Sequence, residues 1–391
     1  MKKSIIFILI TTFSFAQSVT KTMNLLPDTG QNLSYTTTFG EDNDYNINVP
    51  SYTNNGNGTI TDNVTGLLWQ QVDGGEMTIE NAFIYADNLV LGGYSDWRLP
   101  TPKESFSILN HQNINPALNT SYFTNTNADY WWTNTYQAGD NTKVWCTNAG
   151  GGIGNKPKSE TISAGGIKKF HARTVRDITT PAVISNHFTN NGDGTVTDNL
   201  TQLIWQKAPN LSALSWENAI VYSESLSLAS ATDWRLPNLK ELQSLNDESL
   251  TNPSANTVFF PTIGVHNYWS STSVQNQPVN AGFWNTQFGI TTLGLKTATN
   301  YVICVKGNPT NLAVKSIDLA SNICVFPNPF SSKINIENAL GDEYFELYNQ
   351  TGQIFFSEKN ITQHDFSYLM SGVYFLKING EKSYKIKIIK N

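Results

Sequence analysis

Asn55-Gly56-Asn57-Gly58-Thr59-Ile60-Thr61-Asp62-Asn63 returns 136 positions later as Asn191-Gly192-Asp193-Gly194-Thr195-Val196-Thr197-Asp198-Asn199. The register continues through Leu68-Trp69-Gln70 and Ile204-Trp205-Gln206. It shifts by one at Glu80-Asn81-Ala82 and Glu217-Asn218-Ala219, and then carries Asp96-Trp97-Arg98-Leu99-Pro100 into Asp233-Trp234-Arg235-Leu236-Pro237 and Trp132-Thr133 into Trp269-Ser270. An ordered series of motifs over more than a hundred residues exceeds a solenoid unit of about 20–50 residues, so the chain holds a duplicated domain. All 10 tryptophans fall inside the copies. Four pair across the repeat: Trp69 with Trp205, Trp97 with Trp234, Trp132 with Trp269 and Trp145 with Trp284. Side chains retained by both halves are expected in the core before a binding site.

Local chemistry gives each copy an order of elements. Asn-Gly and Asp-Gly steps between short β-favouring runs predict an opening hairpin whose central residues take positive φ. Thr78 and Ser215 stand where helix N-caps belong, followed by Glu80 and Glu217 and, in the first copy, by Ala82, Ala86 and Leu89 at helical spacing. Thr101-Pro102-Lys103-Glu104 combines an N-cap, a proline at the first helical position and a capping-box glutamate. Asn238-Leu239-Lys240-Glu241 repeats the pattern without proline. Aromatic, strand-like sequence then closes each unit through Tyr130-Trp131-Trp132 and Tyr268-Trp269. The expected fold class is α+β.

The ends of the chain carry other signals. Lys2 and Lys3, the apolar run Ile5–Phe15 and the small residues Ser14 and Ala16 predict a signal peptide over 1–16. No later stretch approaches the roughly 18 consecutive apolar residues of a spanning helix, so no transmembrane anchor is expected in the mature chain. The formal net charge is -6, and charged residues make up 14% of the chain, against about 25% in average proteins. That balance argues against nucleic acid as a partner. Cys146, Cys304 and Cys324 fit no paired metal-ligand spacing; one bridge between Cys304 and Cys324 and buried thiols both remain open.

The hairpin, the Leu-x-Trp-Gln strand, the Asp-Trp-Arg-Leu-Pro lead-in and the Trp-Thr/Ser strand together resemble the Lcl C-terminal domain family, the terminal domain of Legionella collagen-like adhesins. The resemblance implies a C-type-lectin-like fold and, through the family's namesake, binding of sulfated glycosaminoglycans. The closing strand Arg173-Thr174-Val175-Arg176 becomes Ile303-Cys304-Val305-Lys306 in the second copy, a departure from the family's pattern. From Cys324 onward, Val325-Phe326-Pro327-Asn328-Pro329, Leu347-Tyr348-Asn349-Gln350-Thr351-Gly352 and Leu369-Met370-Ser371-Gly372-Val373-Tyr374 resemble the type IX secretion sorting domain. That likeness implies contact with the secretion machinery, passage through the periplasm and an extracellular or outer cell-surface destination. The alternation in Val373–Ile378 adds a small immunoglobulin-like β-sandwich. The expected order is a signal peptide (1–16), an N-terminal segment (17–46), lectin-like repeat 1 (47–177), a linker (178–185), repeat 2 (186–307), a linker (308–317) and the sorting domain (318–391).

No histidine recurs between copies, and each retained carboxylate pair has a turn, cap or helix role, so no catalytic set is expected. Neither copy has the paired cysteines of the distantly similar formylglycine-generating enzymes. Lys156, Lys158, Lys168, Lys169, Arg173 and Arg176 surround a glycine-rich segment in the first copy. They are the candidate contacts for sulfate or carboxylate groups on a glycan. Calcium is the one cofactor to weigh: Asn55, Asn57, Asp62, Asn191, Asp193 and Asp198 offer oxygen ligands, but without EF-hand spacing, and they suit plain turns as well. Trp131 and Tyr136 are aromatic faces on which a sugar could stack. The expected function is adhesion or glycan binding; a secreted hydrolase with an unrecognised site, and a structural surface or matrix protein, are the alternatives.

Overall fold

The opening hairpins form as the turn residues require. In the first copy Tyr52–Asn54 pairs antiparallel with Thr59–Asp62, which pairs with Leu67–Gln70. Gly56 and Gly58 take φ of 73° and 82°, and Gly192 and Gly194 take 80° and 90°. Glycines alone therefore supply the left-handed positions, and the asparagines act through their side chains: Asn54 Oδ1 accepts from Gly56 N–H at 2.9 Å and Asn190 Oδ1 from Gly192 N–H at 3.2 Å. The closing strand of each copy returns to the same sheet, Val175–Asp177 beside Leu67–Gln70 and Val305–Lys306 beside Ile204–Gln206.

Two short helices follow in each copy: α1 (Ile79–Asn88), α2 (Pro102–Ser107), α3 (Trp216–Ser225) and α4 (Leu239–Ser244). Both capping boxes are formed, at Thr101/Glu104 and Asn238/Glu241. Thr78 caps α1 through its side chain, whereas Ser215 makes no side-chain cap bond. A second sheet is built on the antiparallel strands Tyr130–Gln137, Asp140–Asn148 and Ile153–Pro157 in the first copy, with Phe170–His171 added parallel to the first of them, and on Asn267–Ser273, Asn280–Asn285 and Ile290–Leu295 in the second. The computed structural model describes residues 18–45, 47–124, 127–159, 162–163, 166–167, 170–307, 324–337, 343–349, 352–379 and 383–391. The expected signal peptide lies outside the described residues. Among those described, no sheet mixes strands of the two copies. Strand accounts for 36% and helix for 11%, so the fold is mostly β, more so than the α+β reading implies.

The eight paired tryptophans are all buried, and in two of the four pairs equivalent indoles make equivalent hydrogen bonds. Trp132 Nε1 donates to Met77 O and Trp269 Nε1 to Leu214 O, both at 2.9 Å. Trp97 and Trp234 donate to Leu91 O and Leu228 O. These four indoles thus satisfy their one donor, whereas Nε1 of Trp69, Trp145 and Trp205 finds no partner among the described residues; each ring buries about 200 Å², on the order of 5 kcal/mol of transfer free energy before entropy.

The C-terminal module sets a four-stranded sheet and the pair Cys324–Phe326/Asn335–Glu337 around one core that includes Phe330, Phe345, Leu347, Phe366 and Leu376. It rests on the second copy and the N-terminal segment. Lys387 Nζ lies 3.2 Å from Glu224 and donates to Thr232 O at 2.8 Å, and Phe375 packs on Phe39 at 4.7 Å between ring centroids. Val19–Lys21 pairs with Ala182–Ile184, tying the N-terminal segment to the linker between the copies.

Candidate functional site: the cleft between the copies

The arginine of each Asp-Trp-Arg motif fixes its copy from within. Arg98 Nη1 and Nη2 meet Glu104 at 2.7 and 2.9 Å, and Arg235 meets Glu241 at 2.6 and 2.6 Å. The same glutamates close the capping boxes, accepting from Thr101 N–H and Asn238 N–H. Burial alone would raise the Glu104 carboxyl, but the Arg98 guanidinium holds it below the usual range. These groups are consumed in bidentate pairs.

One retained cation does something else. Lys103 Nζ donates to Ser244 O at 3.1 Å, and Lys240 Nζ donates to Ser107 O at 2.7 Å. Lys103 and Lys240 are equivalent positions of the two copies, as are Ser107 and Ser244, each pair 137 residues apart. Each lysine therefore satisfies a terminal carbonyl of the other copy's helix. Gly154 and Ile290 are also equivalent, each paired one residue along from Trp145 or Trp284, and they face each other. Reciprocal contacts of this kind are the mark of an isologous interface. The two copies associate about a local pseudo-twofold axis running between α2 and α4.

Beside this axis opens a cleft of about 1050 Å³. The first copy contributes Lys103, Phe106 and Tyr136; the second contributes His187, Glu248 and Phe259; Lys21 and Met23 lie on its N-terminal rim. Tyr136 is 37% exposed. His187 stacks on Phe188 with centroids 3.9 Å apart, and its Nε2 lies 3.3 Å from Asp198 Oδ1. Lys103 Nζ is 4.0 Å from Glu248. An apolar floor with a few polar groups at its walls is the ordinary construction of a ligand site.

The basic residues singled out in the sequence are not gathered there. Arg173 is a correction: it is 2% exposed, with Nη1 donating to Gln70 O at 2.9 Å and Nη2 3.4 Å from Asp73, and burial pulls its pKa down to about 10 against the pull of Asp73. Arg176 is bidentate to Asp96, at 2.6 and 3.0 Å, with its guanidinium 4.0 Å from the centre of the Tyr94 ring. Lys158 lies 3.5 Å from Glu80, and Lys156 sits over the Tyr130 ring at 5.3 Å. Lys168 and Lys169 lie outside the described residues. Each of the four described residues thus has a contact of its own within the chain.

The calcium candidates serve their turns. Asp62 Oδ1 accepts from Val64 and Thr65 N–H, and Asp198 Oδ1 from Leu200 and Thr201 N–H. Asp193 accepts from Thr195 N–H and Oγ1, Asn57 Oδ1 accepts from Thr59 Oγ1, and Asn55 and Asn191 brace the facing threonines of their hairpins. Cys304 is a buried free thiol donating to Ser223 Oγ, and burial pushes it up to about 12. Trp131 is core, its Nε1 3.1 Å from Asp73, while Tyr136 does reach the cleft. The cleft itself needed inter-copy packing to be seen. Its sequence signal was a lysine kept at the same step of a short helix in both copies.

Against protein families, the Lcl C-terminal domain matches residues 58–176 and 194–306, and the secretion system C-terminal sorting domain matches 324–391. No curated protein matches. Among solved structures the chain is similar to PorZ, described as an essential bacterial surface component of the type-IX secretion system of Porphyromonas gingivalis. The likeness is 12% identical over 64% of this chain and 29% of that one, with a TM-score of 0.17, at which it carries no argument. The sorting domain implies export to the cell surface or the extracellular space. Among the described residues no helix is long and apolar enough to cross a membrane.

Proposed function

The chain belongs to the Lcl C-terminal domain family, and on that premise we propose that it is an exported adhesion protein whose two lectin-like heads act as one binding unit, through the cleft between them. The observation that carries the reading is that cleft of about 1050 Å³, open beside a pseudo-twofold interface and lined by both copies. Neither head alone would form it. A binding role without catalysis is supported by the fate of two of the four carboxylate pairs shared by both copies: Asp62 and Asp198 are turn acceptors, and Glu104 and Glu241 are held by arginine.

Purified chain 17–391 is to be tested on a glycan array and on immobilised matrix proteins, with and without chelator, beside a Tyr136→Ala/Ser249→Trp variant that removes one wall and fills the space. Binding of at least one ligand class that falls tenfold or more in the variant is the expected result. Binding that the variant leaves untouched would place adhesion elsewhere, and turnover of a polysaccharide or peptide would return the hydrolase reading.

A further inference from the structure

A pseudo-twofold axis generates two equivalent clefts, and among the described residues one of them is open. The other is filled by the chain's own segment Asp28–Asp44. Lys240 Nζ donates to Asp28 O at 2.7 Å, and His111 N–H donates to Thr29 O at 2.9 Å. Gln112 Oε1 accepts from Asn32 and Leu33 N–H at 2.9 and 3.3 Å. On the second copy, Thr272 Oγ1 donates to Asp42 at 2.6 Å, and Ser273 N–H donates to Gln31 Oε1 at 2.8 Å. Asn110 completes the wall, its side chain packed beneath Gly30. Most of these contacts are to the backbone of the filler, as expected where an extended polypeptide is held.

Shifting the contact residues by the 137 positions that relate the copies gives Lys103 for Lys240, Asp247, Glu248 and Ser249 for Asn110, His111 and Gln112, and Thr135 and Tyr136 for Thr272 and Ser273. Every one of these lines the open cleft. The open cleft is therefore the empty mate of a peptide-filled one. The Glu248 N–H, equivalent to the His111 N–H that holds Thr29, donates no hydrogen bond among the described residues. Lys103 Nζ, equivalent to the ammonium that holds Asp28 O, donates to Ser244 O and lies 4.0 Å from Glu248, which leaves it a further donor.

We infer that the open cleft receives an extended polypeptide segment of a partner protein, with its backbone on Lys103 Nζ and Glu248 N–H and a basic side chain against Asp247 and Glu248. The inference rests on the cleft being the adhesive surface. The charge of the occupant follows from how the walls differ. Asn110, His111 and Gln112 form a neutral wall, with His111 held down to about 3 by burial, and hold the acidic segment through the backbone of Thr29, Asn32 and Leu33, while its Glu41 and Asp42 bond Ser273 and Thr272 across the cleft. Asp247 and Glu248 replace that wall with two carboxylates, which repel such a segment and attract lysine or arginine. A second copy's N-terminal segment is thereby disfavoured as the occupant. Phe106, Leu245 and Phe259 leave the floor apolar, suited to alternate side chains of the same strand.

The test pans a phage-displayed library of random 12-residue peptides on the full chain 17–391, with the glycan array run in parallel. Selected peptides are expected to combine lysine or arginine with apolar residues. Their affinity should fall tenfold or more on Glu248→Lys and on Tyr136→Ala, two partly exposed positions whose replacement should leave circular dichroism unchanged. Glu248→Lys should in turn select acidic peptides. Failure to enrich peptides, or enrichment indifferent to both substitutions, overturns the inference. A glycan bound in the cleft and lost on Tyr136→Ala also overturns it, while leaving the adhesive reading intact.

Discussion

The two copies share a fold but fill one internal layer with opposite chemistry. In the first, Asp73 receives His171 Nδ1 at 2.7 Å, Trp131 Nε1 at 3.1 Å and Arg173 Nη2 at 3.4 Å, all buried. In the second, the equivalent positions are Pro209, Tyr301, Tyr268 and Ile303, and the last two are core residues with Trp284 and Val305. The equivalence is fixed by matching backbone bonds, Gly74 N–H to Ala172 O and Asn210 N–H to Val302 O. The same backbone thus accepts a buried charge network or an apolar packing. A network of this kind is costly to break in part and cheap to replace whole.

That contrast can be broken most directly at Asp73. Removing it in Asp73→Ala strands Arg173 and His171 in the core, and should cost toward the upper end of roughly 3–5 kcal/mol in chemical denaturation. Importing the whole second-copy set, Asp73→Pro with Trp131→Tyr, His171→Tyr and Arg173→Ile, should lose no more than about 1–2 kcal/mol, the scale of a core swap that needs repacking. If the fourfold variant is as damaged as the single one, the two layers are not interchangeable.

The Asp-Trp-Arg arginines differ more mildly. Arg98 has a second carboxylate, Asp177 at 3.1 Å, and a side chain 30% exposed; Arg235 is buried, with Glu241 as its carboxylate. Glu241→Ala should therefore cost about 3 kcal/mol and Glu104→Ala about half of that. Equal losses in urea titrations would show that Asp177 does not share the load.

Filled and open clefts should also answer pH differently. In the filled one, burial raises the Asp28 carboxyl to about 6 and Asp42 well above its ordinary value, against the attraction of Lys240 and with Glu241 adding repulsion. A raised acid contributes stability that is whole below about 4, its unfolded value, and is lost as pH climbs to about 6, at most about 3 kcal/mol for Asp28. Lys240, held down at about 8 by burial, acts later, its penalty fading only above that pH. Amide exchange in residues 28–44 should accelerate from pH 4 to 6 beyond the intrinsic chemical trend. Asp28→Asn should flatten that rise; a rise that persists unchanged in this variant would clear Asp28 of the role.

What the sequence disclosed was whatever is written within a few residues or repeated across the duplication. Thr101 and Glu104 form their box because cap and partner are three positions apart, and the paired tryptophans read as core because both copies keep them. Arg173 reads as a surface cation because Asp73, its counter-charge, is 100 residues away, and a strand cation without a partner nearby in sequence looks exposed. The cleft was hidden for a related reason. It is made by helices of two copies and defined by what fills its mate, and neither relation leaves a mark in local pattern beyond Lys103 and Lys240.

The smallest difference between the copies tests how far local signals can be trusted. Thr78 and Ser215 occupy the same N-cap position, yet Thr78 Oγ1 accepts from Asn81 N–H at 3.3 Å, while Ser215 makes no such bond. Ser215 instead lies in a two-residue strand, paired with Thr299, and the next amide, Trp216 N–H, donates to Lys296 O. A residue whose backbone is held by a neighbouring strand has less need of its hydroxyl to start the helix. Thr78→Ala should therefore lose about 0.5–1 kcal/mol, the lower part of the N-cap range because the site is exposed. Ser215→Ala should stay within about 0.3 kcal/mol of the parent, as surface changes away from special features do. Thermal melts of the two variants compare them directly, and a larger loss at Ser215 would mean that its hydroxyl, not the strand pairing, sets the start of α3.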